Sequence, residues 1–174
     1  MRLAVVPERC SGCRLCELAC ALSKFNVMNP KKAGIRVISI YPHPVVRMPV
    51  FCRQCKEPKC MANCPVEAIK ESDGIVTIDE KICVACYNCV TSCPFGAIFV
   101  HPDVSAPIKC DLCAGNPKCV DVCPTNALLF VPEHLLGQAH RVGSVLKYAH
   151  MEEIEYEAGK KKLRYADIGN IKTE

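Results

Sequence analysis

Apolar residues fall along the chain in short β-type runs at positions 3–6, 34–40, 75–78, 97–100 and 127–131. Each is too short for a long helix. Between Ile69 and Ile75 stands Lys-Glu-Ser-Asp-Gly, and its Asp73-Gly74 pair predicts a two-stranded turn. Residues 24–50 carry Pro30, Pro42, Pro44 and Pro49 and read as an irregular connection containing one strand. After Pro132 the pattern changes. Leu135, Leu136, Ala139, Val142, Val145, Leu146 and Ala149 recur at roughly helical spacing, interrupted by Gly137 and Gly143. Two short runs, 154–156 and 163–165, then flank a charged turn and predict a hairpin.

Composition changes the picture of the core. The hydrophobic share of 50% includes sixteen cysteines, and there is no Trp. A core that thin needs a staple. Disulfides are the first candidate at this cysteine density. The opening Met1-Arg-Leu-Ala-Val-Val-Pro7 lacks the apolar core of a signal peptide. No later window is apolar enough to span a membrane. The expected location is therefore cytoplasmic, where thiols stay reduced and clustered cysteines mean metal.

The cysteines form four groups of four: Cys10, Cys13, Cys16, Cys20; Cys52, Cys55, Cys60, Cys64; Cys83, Cys86, Cys89, Cys93; and Cys110, Cys113, Cys119, Cys123. Three groups end alike, in Cys64-Pro-Val-Glu-Ala-Ile, Cys93-Pro-Phe-Gly-Ala-Ile and Cys123-Pro-Thr-Asn-Ala-Leu, which marks an internal repeat. The first group departs from it with Cys20-Ala21. Groups one and three have the Cys-x2-Cys-x2-Cys spacing that wraps three corners of a [4Fe–4S] cube and leaves the fourth to a cysteine elsewhere. Groups two and four widen the middle spacing without removing a ligand. Structural zinc also uses Cys-x2-Cys turns, but in two separated pairs, whereas three cysteines in seven residues followed by Cys-Pro suit a cube.

Four such groups in this order resemble the iron–sulfur subunits that accompany molybdenum and tungsten enzymes, the dimethyl-sulfoxide-reductase B-subunit family, over residues 1–131. The resemblance implies an α+β fold of two pseudo-symmetric bacterial-type 2[4Fe–4S] ferredoxin modules, with a C-terminal helix and hairpin extension. The outer module would comprise residues 1–30 plus 105–131, the inner module 31–104, and the extension, for docking, 132–174. The resemblance also implies four clusters. One would sit on Cys10, Cys13, Cys16 and Cys123, and a second on Cys110, Cys113, Cys119 and Cys20. A third would sit on Cys52, Cys55, Cys60 and Cys93, and the fourth on Cys83, Cys86, Cys89 and Cys64. Asn29-Pro30 before Gly34-Ile-Arg-Val-Ile is similar to the small electron-transfer subunits of tungsten aldehyde oxidoreductases and class II benzoyl-CoA reductases. The implied partner is a large metallopterin subunit, with a flavin subunit or soluble ferredoxin as further partners.

The rest of the sequence supports relay rather than catalysis. There is no glycine-rich phosphate loop and no dinucleotide fingerprint, so no catalytic site is expected on this polypeptide. Arg14, Arg53, Lys56, Lys59, Lys109 and Lys118 stand near the cysteines, where they either favour the reduced clusters or form a solvated surface. Four cubes of about −2 each would turn the formal +4 negative, so the basic balance does not imply nucleic acid. The five His residues are surplus to ligation. Two alternatives stay open: a stand-alone polyferredoxin, and the iron–sulfur subunit of a formate dehydrogenase or hydrogenase. Contacts at both ends of the chain would also permit a higher-order assembly.

Overall fold

The computed structural model describes residues 1–41, 46–137 and 141. The third cysteine of every group lies in a short helix: Cys16 in α1 (Leu15–Phe25), Cys60 in α2 (Lys59–Ala62), Cys89 in α3 (Asn88–Ser92) and Cys119 in α4 (Lys118–Asp121). The last three helices are four or five residues long, because Pro65, Pro94 and Pro124 follow the fourth cysteines and proline disfavours helical backbone in the residue before it. Group one has Ala21 at that position. Its helix runs on to Phe25 and stops at Asn26, which is left-handed at φ 55° and donates its N–H to the Leu22 carbonyl at 2.9 Å.

Among the described residues, eight short strands form four separate two-stranded antiparallel sheets. β1 (Arg2–Val5) pairs with β8 (Leu128–Val131) in the register Arg2↔Val131 to Val5↔Leu128, joining distant parts of the sequence. β2 (Ile35–Ile40) pairs with β3 (Val46–Phe51), β4 (Ile69–Ser72) with β5 (Ile75–Ile78), and β6 (Ile98–Phe99) with β7 (Ile108–Lys109). Asp73 and Gly74, at φ 52° and 74°, make the predicted tight turn between β4 and β5.

The segment 24–50 corrects the sequence reading, since it holds two paired strands and the end of α1 where one strand and an irregular connection were expected. Pro49 concealed the second strand. It stands opposite Val37, whose N–H points away from β3 and donates to a Glu17 carboxylate oxygen at 2.6 Å. The Val37↔Pro49 pair therefore exchanges no ladder bonds, and the missing proline N–H costs nothing there.

Two cores result. The larger gathers Leu3, Ala21, Ala33, Ile35, Val37, Phe51, Leu112 and Leu128 with Cys16 and Cys119, so the buried face of β2–β3 joins the first and fourth cysteine groups. The smaller gathers Ile69, Val76, Cys89 and Ile98, with Cys60, Cys64 and Cys93 against it. Lys24 ties α1 to the fourth group, donating to the Lys109 carbonyl at 3.2 Å and to Asp111 at 2.9 Å. The predicted C-terminal helix and hairpin lie largely outside the described residues. Within them, Glu133–Leu135 forms one 3₁₀ turn.

Candidate metal centres

The cysteine-bearing turns share a backbone rhythm. Gly12, Gln54, Ala85 and Leu112, each two residues after the first cysteine of its group, have φ of 77°, 50°, 53° and 55°. Arg14, Tyr87 and Ala114, each just after the second cysteine, are left-handed as well, at 61°, 61° and 52°. Turns of this kind aim successive backbone N–H groups into concavities, which suit anionic sulfur. The repeated closing phrase has its own turn, with Glu67, Gly96 and Asn126 at φ 51°, 56° and 50°. The alanine that follows is buried, and the N–H groups of Ala68 and Ala97 donate to the Cys64 and Cys93 sulfurs at 3.3 and 3.4 Å.

Cys20, lacking that phrase, receives its N–H from elsewhere: Gly34 donates to its sulfur at 3.2 Å. The approach requires glycine. A Cβ at Gly34 would lie 3.0 Å from the Cys110 nitrogen and 3.1 Å from the Lys109 carbonyl carbon, both backbone atoms that cannot swing aside. Gly34→Ala is expected to cost about 1–3 kcal/mol through overpacking and to speed iron release to a chelator by about fivefold or more. Release at the wild-type rate would show that the gap tolerates a methyl group.

Two hollows are lined by cysteines from different groups. Cys64, Cys83, Cys86 and Cys89 border about 310 Å³ of empty space, part of it open to solvent. Cys52, Cys55, Cys60 and Cys93 border another of about 360 Å³, together with Arg53, Lys59 and Lys109. In the larger core, Cys16 feels the charges of Cys13 and Cys123, while Cys119 feels those of Cys110, Cys20 and Cys113. Among the described residues no three His, Cys, Asp or Glu side chains converge on a single metal ion. A cube bonds each thiolate to its own iron, so its ligands stand apart around a hollow.

Burial makes free thiolates unfavourable here. It is the largest influence pushing Cys16 and Cys110 up to about 12 and Cys89 to about 11. Cys119, Cys20 and Cys60 are raised for the same first reason, and the Gly34 N–H and Lys109 ammonium act against burial at Cys20 and Cys60 respectively. Deprotonated sulfur in these positions needs bonding to a cation, as iron would provide. Between Cys110 and Cys113, burial alone would raise Asp111. The Lys24 ammonium beside it and the Cys113 N–H reverse that and hold its carboxyl below the ordinary value.

Cys13 and Cys86 are the two exposed cysteines among the sixteen. Three buried polar groups shape the surroundings of the cysteines: Glu17, Gln54 and Lys109. The sequence pointed to Lys109 by its proximity to Cys110, but no pattern in a single sequence marks Glu17 or Gln54 as buried.

Known proteins place this arrangement. The chain is 37% identical over 123 residues to the polyferredoxin-like subunit of aliphatic sulfonate oxidoreductase from Pyrococcus furiosus, covering 70% of each. It is 34% identical over 139 residues to the B subunit of polysulfide reductase from Wolinella succinogenes, again covering 70% of each. A solved polypeptide of the benzoyl-coenzyme A reductase active-site complex BamBC aligns at 25% identity, covering 83% of this protein and 88% of that one, with a TM-score of 0.43. The model of the 4Fe-4S dicluster domain matches residues 44–133, and on the strength of that match the protein belongs to this iron–sulfur family.

Proposed function

We propose that the protein holds four [4Fe–4S] clusters and serves as the electron-relay subunit of an oxidoreductase complex. The ligand sets are Cys10, Cys13, Cys16, Cys123; Cys20, Cys110, Cys113, Cys119; Cys52, Cys55, Cys60, Cys93; and Cys64, Cys83, Cys86, Cys89, distributed over an outer and an inner ferredoxin module. The observation that carries this reading is the continuity between sets. Cys16 acts on Cys119, Cys52 on Cys110, and Cys60 on Cys89, so each set neighbours the next in a single file. When bound, the cubes supply one-electron redox chemistry.

The protein's own residues do the rest. Sixteen sulfurs fix the sites, and N–H groups aimed at sulfur stabilise added negative charge. The exposed Cys13 and Cys86 stand in the first and last sets of the file, which puts the two exits for electrons at its ends. Among the described residues no helix is long and apolar enough to cross a membrane. The partner we favour is a tungsten or molybdenum catalytic subunit of the aldehyde oxidoreductase type, then of the benzoyl-CoA reductase type, in the cytoplasm, docked through residues 132–174. Relatives named as oxidoreductase subunits support a catalytic partner.

Iron, acid-labile sulfide and co-purifying protein on anaerobically isolated material test the reading. About sixteen iron and sixteen sulfide per polypeptide, with a tungsten- or molybdenum-bearing subunit, is the expected result. About four zinc without sulfide would overturn the cluster assignment. A fully loaded protein that runs alone at native concentration would overturn the subunit role.

A further inference from the structure

Lys109 is 3% exposed, and among the described residues no carboxylate lies within ion-pair reach of it. Its ammonium donates to the Val76 carbonyl, to the Gln54 side-chain oxygen at 3.4 Å and to the Cys110 carbonyl at 3.4 Å. Three acceptors around one nitrogen match the three donors of the charged form. Gln54, also 3% exposed, is locked in orientation: its oxygen accepts the Val76 N–H at 2.8 Å and its nitrogen donates to the Cys110 carbonyl at 2.9 Å. A buried cation held only by neutral oxygens carries a heavy desolvation cost unless an anion lies close by.

The geometry shows where that anion belongs. Lys109 lines the hollow bordered by Cys52, Cys55, Cys60 and Cys93, while its sequence neighbour Cys110 belongs to the adjoining set. It therefore sits at the junction between the two middle sets of the file. We propose that Lys109, oriented by Gln54, is the resident counter-ion of the cluster at Cys52, Cys55, Cys60 and Cys93 and makes that cluster easier to reduce than the Cys64, Cys83, Cys86, Cys89 cluster beside it. A thiolate-bound cube is already anionic, and one-electron reduction adds another unit of negative charge. A fixed positive charge in a poorly screened interior favours the reduced form. The inference rests on the cluster assignment above and goes beyond it by giving the relay an uneven potential with a resting place near its middle.

Redox titration followed by electron paramagnetic resonance tests it on the anaerobic complex, with the relevant signal identified as the one altered by Cys55→Ser. Lys109→Gln and Lys109→Met remove the charge, and Lys109→Arg retains it. The expected result is a fall of about tenfold or more in that cluster's reduction equilibrium, ~59 mV for one electron, in both neutral variants. The signals of the two end clusters should hold, that of the adjoining Cys110 cluster should move less, and arginine should preserve the wild-type value. Equal shifts in all signals, no shift, or loss of clusters in all three variants would make Lys109 a packing strut and overturn the proposal. Failure of the underlying reading looks different, because the wild-type protein would then lack four reducible clusters.

Discussion

Stripped of its iron by a chelator, the protein is expected to lose its fold, with amide-exchange protection disappearing across both cores and the far-ultraviolet dichroism moving to that of an unfolded polypeptide. The secondary structure cannot stand by itself. The two-stranded sheets among the described residues are each marginal in water. Among the described residues, three of the helices that carry cysteines span at most five residues, far below the length at which an isolated helix persists. Among the described residues, the smaller core buries Ile69, Val76 and Ile98 with Cys89, and Ile78, Val90 and three more cysteines pack against it. In both cores cysteines complete the packing, so metal binding and folding are one equilibrium. Losing it outweighs the roughly 5–15 kcal/mol by which an ordinary domain is stable. An iron-free protein that kept its protected amides would show that the cores sustain themselves.

The second large effect is expected from Cys119→Ala. Cys119 is buried in α4, which packs on α1, and it feels Cys110, Cys20 and Cys113 from its own proposed set and Cys16 from the next. Its loss should remove one cube, lowering iron from about sixteen to about twelve per polypeptide, and break the file between the Cys13 end and everything beyond. Electron passage from one end to the other should then stop almost completely, while paramagnetic signals from the two inner sets persist. Iron analysis with a transfer assay from reductant to terminal acceptor reads both. Undiminished passage would put the Cys119 set outside the path.

Much of this organisation was legible because its chemistry is local. The Asp73-Gly74 turn and the β5 boundaries at Ile75–Ile78 follow from residues whose backbone preferences need no distant partner. The repeated Cys-Pro phrase at Cys64, Cys93 and Cys123 was legible as a repeat, but the short helices that its prolines end were not anticipated. What escaped depended on tertiary contacts. β3 hid behind Pro49, harmless only because Val37 turns its N–H toward Glu17. β6 falls inside the predicted run 97–100, but its partner β7 is two residues long, too short for any periodicity to register. At the site, the cysteines announced themselves by spacing, but the groups around them did not. Gln54 looks like any loop glutamine until its contacts with Val76 and Cys110 are seen. Gly34 looks like a strand-leading glycine until the Cys110 backbone is found against it.

The pairing of β1 with β8 has a consequence for biosynthesis. As the polypeptide leaves the ribosome, β1 has no partner until residues 128–131 have followed. Within the proposed sets, the two inner sites possess all their cysteines once residue 93 is made, whereas the two outer ones wait for residues 119 and 123. Cofactor insertion in the cell would therefore run from the centre of the sequence outward. Until residues 119 and 123 follow, Cys10, Cys13, Cys16 and Cys20 would remain exposed to oxidants and to competing metals.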